Sequence, residues 1–120
     1  MKIYHVIPSG QWKDAQDDGV YRGDTLDAEG FIHFSTRDQV LWVANGRFKG
    51  HTGLLLLEVD TDKLTHELRF EPPFEGATGD VAQWKFPHLY GVMNLDAVIA
   101  VYPFEPNADG NFSLPEAVAV

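Results

Sequence analysis

Gly53 to Val59 is nearly all apolar, with Glu58 as its one charge. A run of that length and composition reads as a strand covered on both faces. The shorter strands around it are half-polar. Lys2 to Ile7 puts Ile3, His5 and Ile7 on one face and Tyr4 and Val6 on the other, and Pro8 ends it. Glu67 to Glu71 alternates with Leu68 and Phe70 inward, and Ala97 to Tyr102 is the last clear strand. At 120 residues this is one domain, and 44% hydrophobic residues exclude a disordered chain.

The helical signals lie between these strands. Ser9 is read as the N-cap of a helix over Gln11 to Asp17, with Trp12 and Ala15 inward and Gly19 as its left-handed end. Thr36 and Gln39 make a capping box for a second helix running to about Phe48. Val40, Leu41, Ala44 and Phe48 form its core-facing stripe. Val20 to Asp24 is expected to be extended, with a turn over Thr25 to Glu29. Pro72 to Lys85, with two prolines and two glycines, reads as a long mobile flap. Residues 104 to 120 should run over the surface, pinned by Phe112 and Leu114.

Composition narrows the partners. Nine basic residues against 18 acidic ones give a formal net charge of -9, which repels a polyanion and argues against nucleic acid. A small local cluster can still hold one phosphate or pyrophosphate. With no cysteine there is no disulfide, thiolate nucleophile or Cys-ligated zinc. Met1-Lys2 leads straight into a strand, and Leu54 to Leu57 is too short to span a bilayer. The expectation is a soluble cytoplasmic protein with a small-molecule ligand and no membrane partner.

The stretch from Glu29 to Thr36 points to a site. In an extended chain Ile32 and Phe34 face the core, while Phe31, His33 and Ser35 share the other face. His5, His33 and His88 stand in half-apolar settings; His51 and His66 fall in polar turns. Each ordered imidazole is either a hydrogen-bonded core residue or the lining of a pocket. Strand spacing of His33 and Ser35 suits proton abstraction poorly, and no Gly-x-Ser-x-Gly elbow is present. There is no helical His-x-x-x-His spacing and no Gly-x-Gly-x-x-Gly loop, so neither a metal nor a Rossmann cofactor is assigned. Phe31, Tyr90 and Trp84 offer a flat wall for a planar ring, or the edge of the core, and Arg22 lies near two aromatic-rich stretches.

Several of these segments together resemble a known family. Ile3-Tyr4-His5, Trp12 with Ala15, Gly19-x-Tyr21, Glu29-Gly30-Phe31-Ile32-His33-x-Ser35-Thr36 and Phe86-Pro87-His88-Leu89-Tyr90-Gly91 resemble domain of unknown function 952, over residues 3 to about 103. Their order is also similar to the ADP-ribosyltransferase fold, particularly RNA 2'-phosphotransferases. That wider resemblance implies a split, mostly antiparallel α+β core with two main helices and NAD as a substrate. His5 matches its first-strand histidine, and Phe31 or His33 its nicotinamide-stacking position. The chain departs from it where Val6-Ile7-Pro8 replaces Gly-Thr and where Phe86 to Gly91 carries no glutamate. Two functions stay open. One is a transferase-type enzyme with His5, His33 and His88 as catalytic residues and Phe31, Ser35, Tyr90, Arg22 and Trp84 on the ligand. The other is a non-catalytic module binding a small molecule or a protein in the same pocket.

Overall fold

A computed structural model describes residues 1–74 and 76–119. The chain runs β1 (Lys2–Pro8), α1 (Ser9–Asp18), β2 (Val20–Tyr21), α2 (Leu26–Glu29), β3 (Ile32–His33), α3 (Val40–Arg47) and β4 (Leu54–Asp60). It continues with β5 (Glu67–Glu71), α4 (Asp80–Gln83), β6 (Phe86–Tyr90), β7 (Met93–Asn94), β8 (Val98–Phe104) and α5 (Glu116–Ala119). All strand pairs are antiparallel, in sheets ordered β1-β4-β8, β3-β6-β5 and β2-β7. The architecture is α+β, with no described helix long and apolar enough to cross a membrane.

The apolar run forms β4, the middle strand of the first sheet. Leu57 and Val59 enter one core cluster with Ile3, Ile7, Ile32, Phe34 and Leu89; α1 covers that side through Ala15 and Trp12. Leu54 and Leu56 point the opposite way, into a cluster with Val6, Val40, Ala44 and Phe104 under α3. The C-terminal segment closes this second layer: Phe112 stacks on Phe104 at 4.8 Å and its N–H donates to Asn45 Oδ1 at 2.6 Å. Leu114 packs alongside.

Several local expectations shift. Ser9 is the first residue of α1, which starts directly after Pro8 and has no side-chain cap, because β1 runs into it without a turn. Gly19 does end the helix, at φ 83°, its N–H bonded to the Ala15 carbonyl. Only half of the Thr36–Gln39 box forms, the Thr36 N–H donating to Gln39 Oε1 at 3.0 Å. Regular helix begins at Val40, after a turn in which the Gln39 and Val40 N–H groups both donate to the Thr36 carbonyl at 3.1 Å, while Gln39 Nε2 donates to the Lys85 carbonyl. Phe70 is exposed, since β5 is an edge strand and its inward face outruns the core there. The segment expected to be an irregular flap holds α4; its Glu75 lies outside the described residues.

Gly91 is a point of close approach between β6 and the start of β5. A Cβ there would lie 2.3 Å from His66 Cγ, and the His66 Nδ1–H donates to the Val92 carbonyl at 2.9 Å. Gly91→Ala must displace that ring, an overpacking cost of about 1–3 kcal/mol in urea denaturation. Adding His66→Gly should recover part of the loss; a Gly91→Ala protein as stable as the parent would mean the ring yields freely.

Candidate functional site

Residues 30–36 connect the two larger sheets. Thr25 Oγ1 donates to the Phe31 carbonyl at 2.7 Å, fixing the chain as it leaves α2. Ile32 and His33 then pair with Leu89 and His88 on β6, and the Phe34 N–H reaches the Pro87 carbonyl. One residue later the backbone changes partner. Ser35 N–H donates to the Tyr4 carbonyl at 2.8 Å and Tyr4 N–H returns to the Ser35 carbonyl at 2.7 Å. Side-chain alternation along this crossing sends Ile32 and Phe34 into the core and leaves Phe31 and His33 on the reverse face.

His5 follows the core-facing side. Its ring packs on Phe34 at 5.2 Å and on Tyr21 at 5.1 Å. Nδ1 lies 2.7 Å from the His33 carbonyl, which can only accept, so Nδ1 carries the proton. Nε2 is then an acceptor, and the Tyr21 hydroxyl donates to it at 2.6 Å. Burial pushes the His5 pKa down from 6.5 to about 4, against the support of the His33 carbonyl. Burial also raises the Tyr21 phenol. The pair is neutral, and the tautomer of His5 is fixed by its partners.

On the reverse face an aromatic layer assembles from β3, β6 and β5. Phe31 stacks on His88 at 4.1 Å and 14°, and His33 meets both edge-on at 4.8 and 5.1 Å. Tyr90 lies 5.3 Å from Phe31, with the Arg69 guanidinium 4.3 Å above its ring. Glu71 Oε1 accepts from both the Tyr90 hydroxyl, at 2.5 Å, and His88 Nδ1, at 3.0 Å. The Tyr90 hydrogen bond is the main force holding the Glu71 carboxyl below its usual range. Burial lowers the His88 pKa in spite of Glu71; the residue is 2% exposed, and its Nε2 is buried without a hydrogen-bond partner. At the outer end His33 Nε2 sits 3.2 Å from Glu29 Oε2.

A cleft of about 930 Å³ opens between β1, the residue 32–35 crossing and α3. His5, Tyr21, His33 and Ser35 line it, with Trp42 and Arg47 on the α3 side. His88 and Tyr90 belong instead to the layer behind the crossing. Trp84 is exposed in a third place, edge-on to Trp42 at 5.1 Å. Arg22 is exposed, pairs with Asp27 at 2.5 Å and lines a smaller recess beside α1. Among the described residues no three His, Asp or Glu side chains converge as a metal-binding group.

Sequence reading passed over Tyr21, Glu71, Trp42 and Arg47. Trp42 left a usable signal, being an indole off the Val40-Leu41-Ala44-Phe48 stripe and therefore bound to be exposed. Tyr21 and Glu71 left none, since their partners are 16 and 17 residues away in sequence.

Fold and cleft together define a small α+β domain of antiparallel sheets. The family model described as "Protein of unknown function (DUF952)" matches residues 6–101, and the chain belongs to that family. It is similar to protein CC0527 from Caulobacter crescentus. One crystal structure of that protein superposes with a TM-score of 0.84 at 28% identity, covering 100% of both chains. Its solution NMR structure gives 0.75 at 31% identity, covering 92% of this chain and 90% of the other. No curated protein matches.

The depressed His5 pKa links stability to pH. Between pH 6.5 and 4 the unfolded chain binds a proton at this histidine and the folded chain does not, so stability rises with pH through that window. The contribution is complete above 6.5 and lost as pH falls toward 4, about 1–3 kcal/mol in all. Urea melts of the parent and of His5→Asn across that range should differ by about one proton in slope; parallel curves would mean that His5 is not held neutral. Glu71→Ala strands two donors and should cost about 1–2 kcal/mol. Glu67→Ala, which breaks only the exposed Arg69 pair, should leave the melting temperature unchanged.

Proposed function

We propose that the cleft binds a small molecule carrying a planar ring, of the NAD or ADP-ribose class, in a cytoplasmic domain built like an ADP-ribosyltransferase. The observation that carries this reading is the neutral His5–Tyr21 pair lining a half-open cleft. Its volume lies in the range of small-molecule and cofactor sites, roughly 300–1,000 Å³. With its O–H donated in a hydrogen bond to His5, the Tyr21 oxygen keeps lone pairs for an amide or hydroxyl of a ligand. The absence of cysteine suits a reducing compartment.

A second reading, binding without turnover, is favoured by how the polar groups are spent. Both nitrogens of His5 are bonded within the protein, His88 and Tyr90 are tied to Glu71, and His33 leans on Glu29. His33 and Ser35 are then contact residues, and Phe31 with His88 is the stacked support behind them.

Thermal melting with NAD, ADP-ribose and nicotinamide tests the first statement. A ligand at a hundredfold excess over its Kd stabilises by about 2.7 kcal/mol. Tyr21→Phe should weaken the effective ligand about fivefold, one hydrogen bond's worth. No stabilisation by any of the three overturns the reading. Nicotinamide release from NAD by the parent but not by His5→Asn would select the transferase; binding without release selects the module.

A further inference from the structure

Arg47 differs from the other three arginines. Arg22 is paired with Asp27, Arg69 with Glu67 and Lys2 with Glu58, and Arg37 lies beside Asp38. Arg47, in the last turn of α3, has no carboxylate within ion-pair distance among the described residues, although acidic residues outnumber basic ones two to one. Its guanidinium lies 5.8 Å from the Phe48 ring centroid and lines the cleft. It is also close enough to His5 to oppose that ring's protonation, while Asp24 acts in the opposite sense. The cleft therefore carries separated charges: Arg47 on the α3 wall, Asp24 and the His33-engaged Glu29 on the wall from the β2–α2 turn.

The same cleft also carries exposed aromatic surface. Trp42 is 46% exposed and Phe74, across the mouth, 58% exposed. Trp42 is braced by the exposed Trp84 at 5.1 Å and by the buried Phe86 at 5.8 Å. A braced, half-open indole and a guanidinium with no carboxylate partner among the described residues, both lining one cleft, are chemistry for a ring bearing an anionic group.

We infer that Arg47 seats the phosphate or pyrophosphate of the cleft's ligand and that Trp42 holds an adjoining aromatic ring, so that the ligand class is a nucleotide rather than a nucleoside. This rests on the proposed small-molecule reading of the same cleft and adds its orientation: phosphate toward α3, hydroxyl donors toward Asp24. A guanidinium gives a phosphate two parallel charge-assisted hydrogen bonds. The alternative role for Arg47 is a helix-end charge acting on the α3 dipole, which would change stability and leave ligand preference alone.

Calorimetric titration of the full chain with ADP-ribose, adenosine and inorganic pyrophosphate separates these. The parent should bind ADP-ribose at least tenfold tighter than adenosine, with the difference shrinking at high salt. Arg47→Gln should abolish that preference while leaving adenosine binding and the ligand-free melting temperature unchanged. Trp42→Ala should weaken ADP-ribose and adenosine alike and spare pyrophosphate. An Arg47→Gln protein that keeps the parental preference overturns the anion seat while the binding reading stands. Pyrophosphate binding that Arg47→Gln removes, without any ADP-ribose binding, supports the seat and overturns the NAD-class ligand. A parent that binds no phosphate compound overturns both.

Discussion

Two backbone hydrogen bonds between Tyr4 and Ser35 join the two halves of this molecule. Without them β1-β4-β8 and β3-β6-β5 would be separate three-stranded sheets, each with an open edge and a half-covered face. With them, the chain from Ile32 to Ser35 leaves one sheet and enters the other in four residues. Ile32 and Phe34 become part of the same apolar layer as Ile3 and Ile7. The cleft exists because this crossing brings β1 and α3 alongside the strand that leaves α2.

The crossing also separates two polar systems that would compete if they shared a face. His5 and Tyr21 satisfy each other and the His33 carbonyl on the core side. Phe31, His33, His88, Tyr90 and Glu71 form the layer on the other. Burial disfavours the charged forms of His5 and His88, and each of these rings is held by a hydrogen bond to a carbonyl or carboxylate. His88 Nε2 is the exception, a buried nitrogen with no hydrogen-bond partner among the described residues, on a ring stacked against Phe31.

Glu58 follows the same rule inside the second layer. It is the one charge in the apolar run, and it is buried because Tyr4, directly opposite on β1, donates its hydroxyl at 3.1 Å and Lys2 lies 3.6 Å away. That contact and burial together raise the Tyr4 phenol to about 12, burial being the larger cause. The ladder shifts register beside it, between Glu58 and Val59, where β4 leaves room for the side chain.

The sequence by itself determined the longer strands, most of their faces and the family. Leu54 to Val59 had to be covered on both sides, Val40 and Ala44 had to point inward, Gly19 had to end a helix, and the alternation from Phe31 to Phe34 had to split ring from core. These follow from periods of 2.0 and 3.6 residues, which are local properties of the chain. Which rings meet was decided only by tertiary structure. His5, His33 and His88 look equivalent as residues in half-apolar strands, yet the first bonds a tyrosine from β2, the second leans on Glu29 and the third is sealed behind Phe31. Glu71 read as an outward residue on an alternating strand, and pairing with β6 turned it into the acceptor for two donors. Trp42 and Arg47 lie off the core-facing stripe of their helix, and the position of β1 made that side the wall of a cleft. Register and strand order set those meetings, and both depend on contacts between residues far apart in the chain, which no window along the sequence contains.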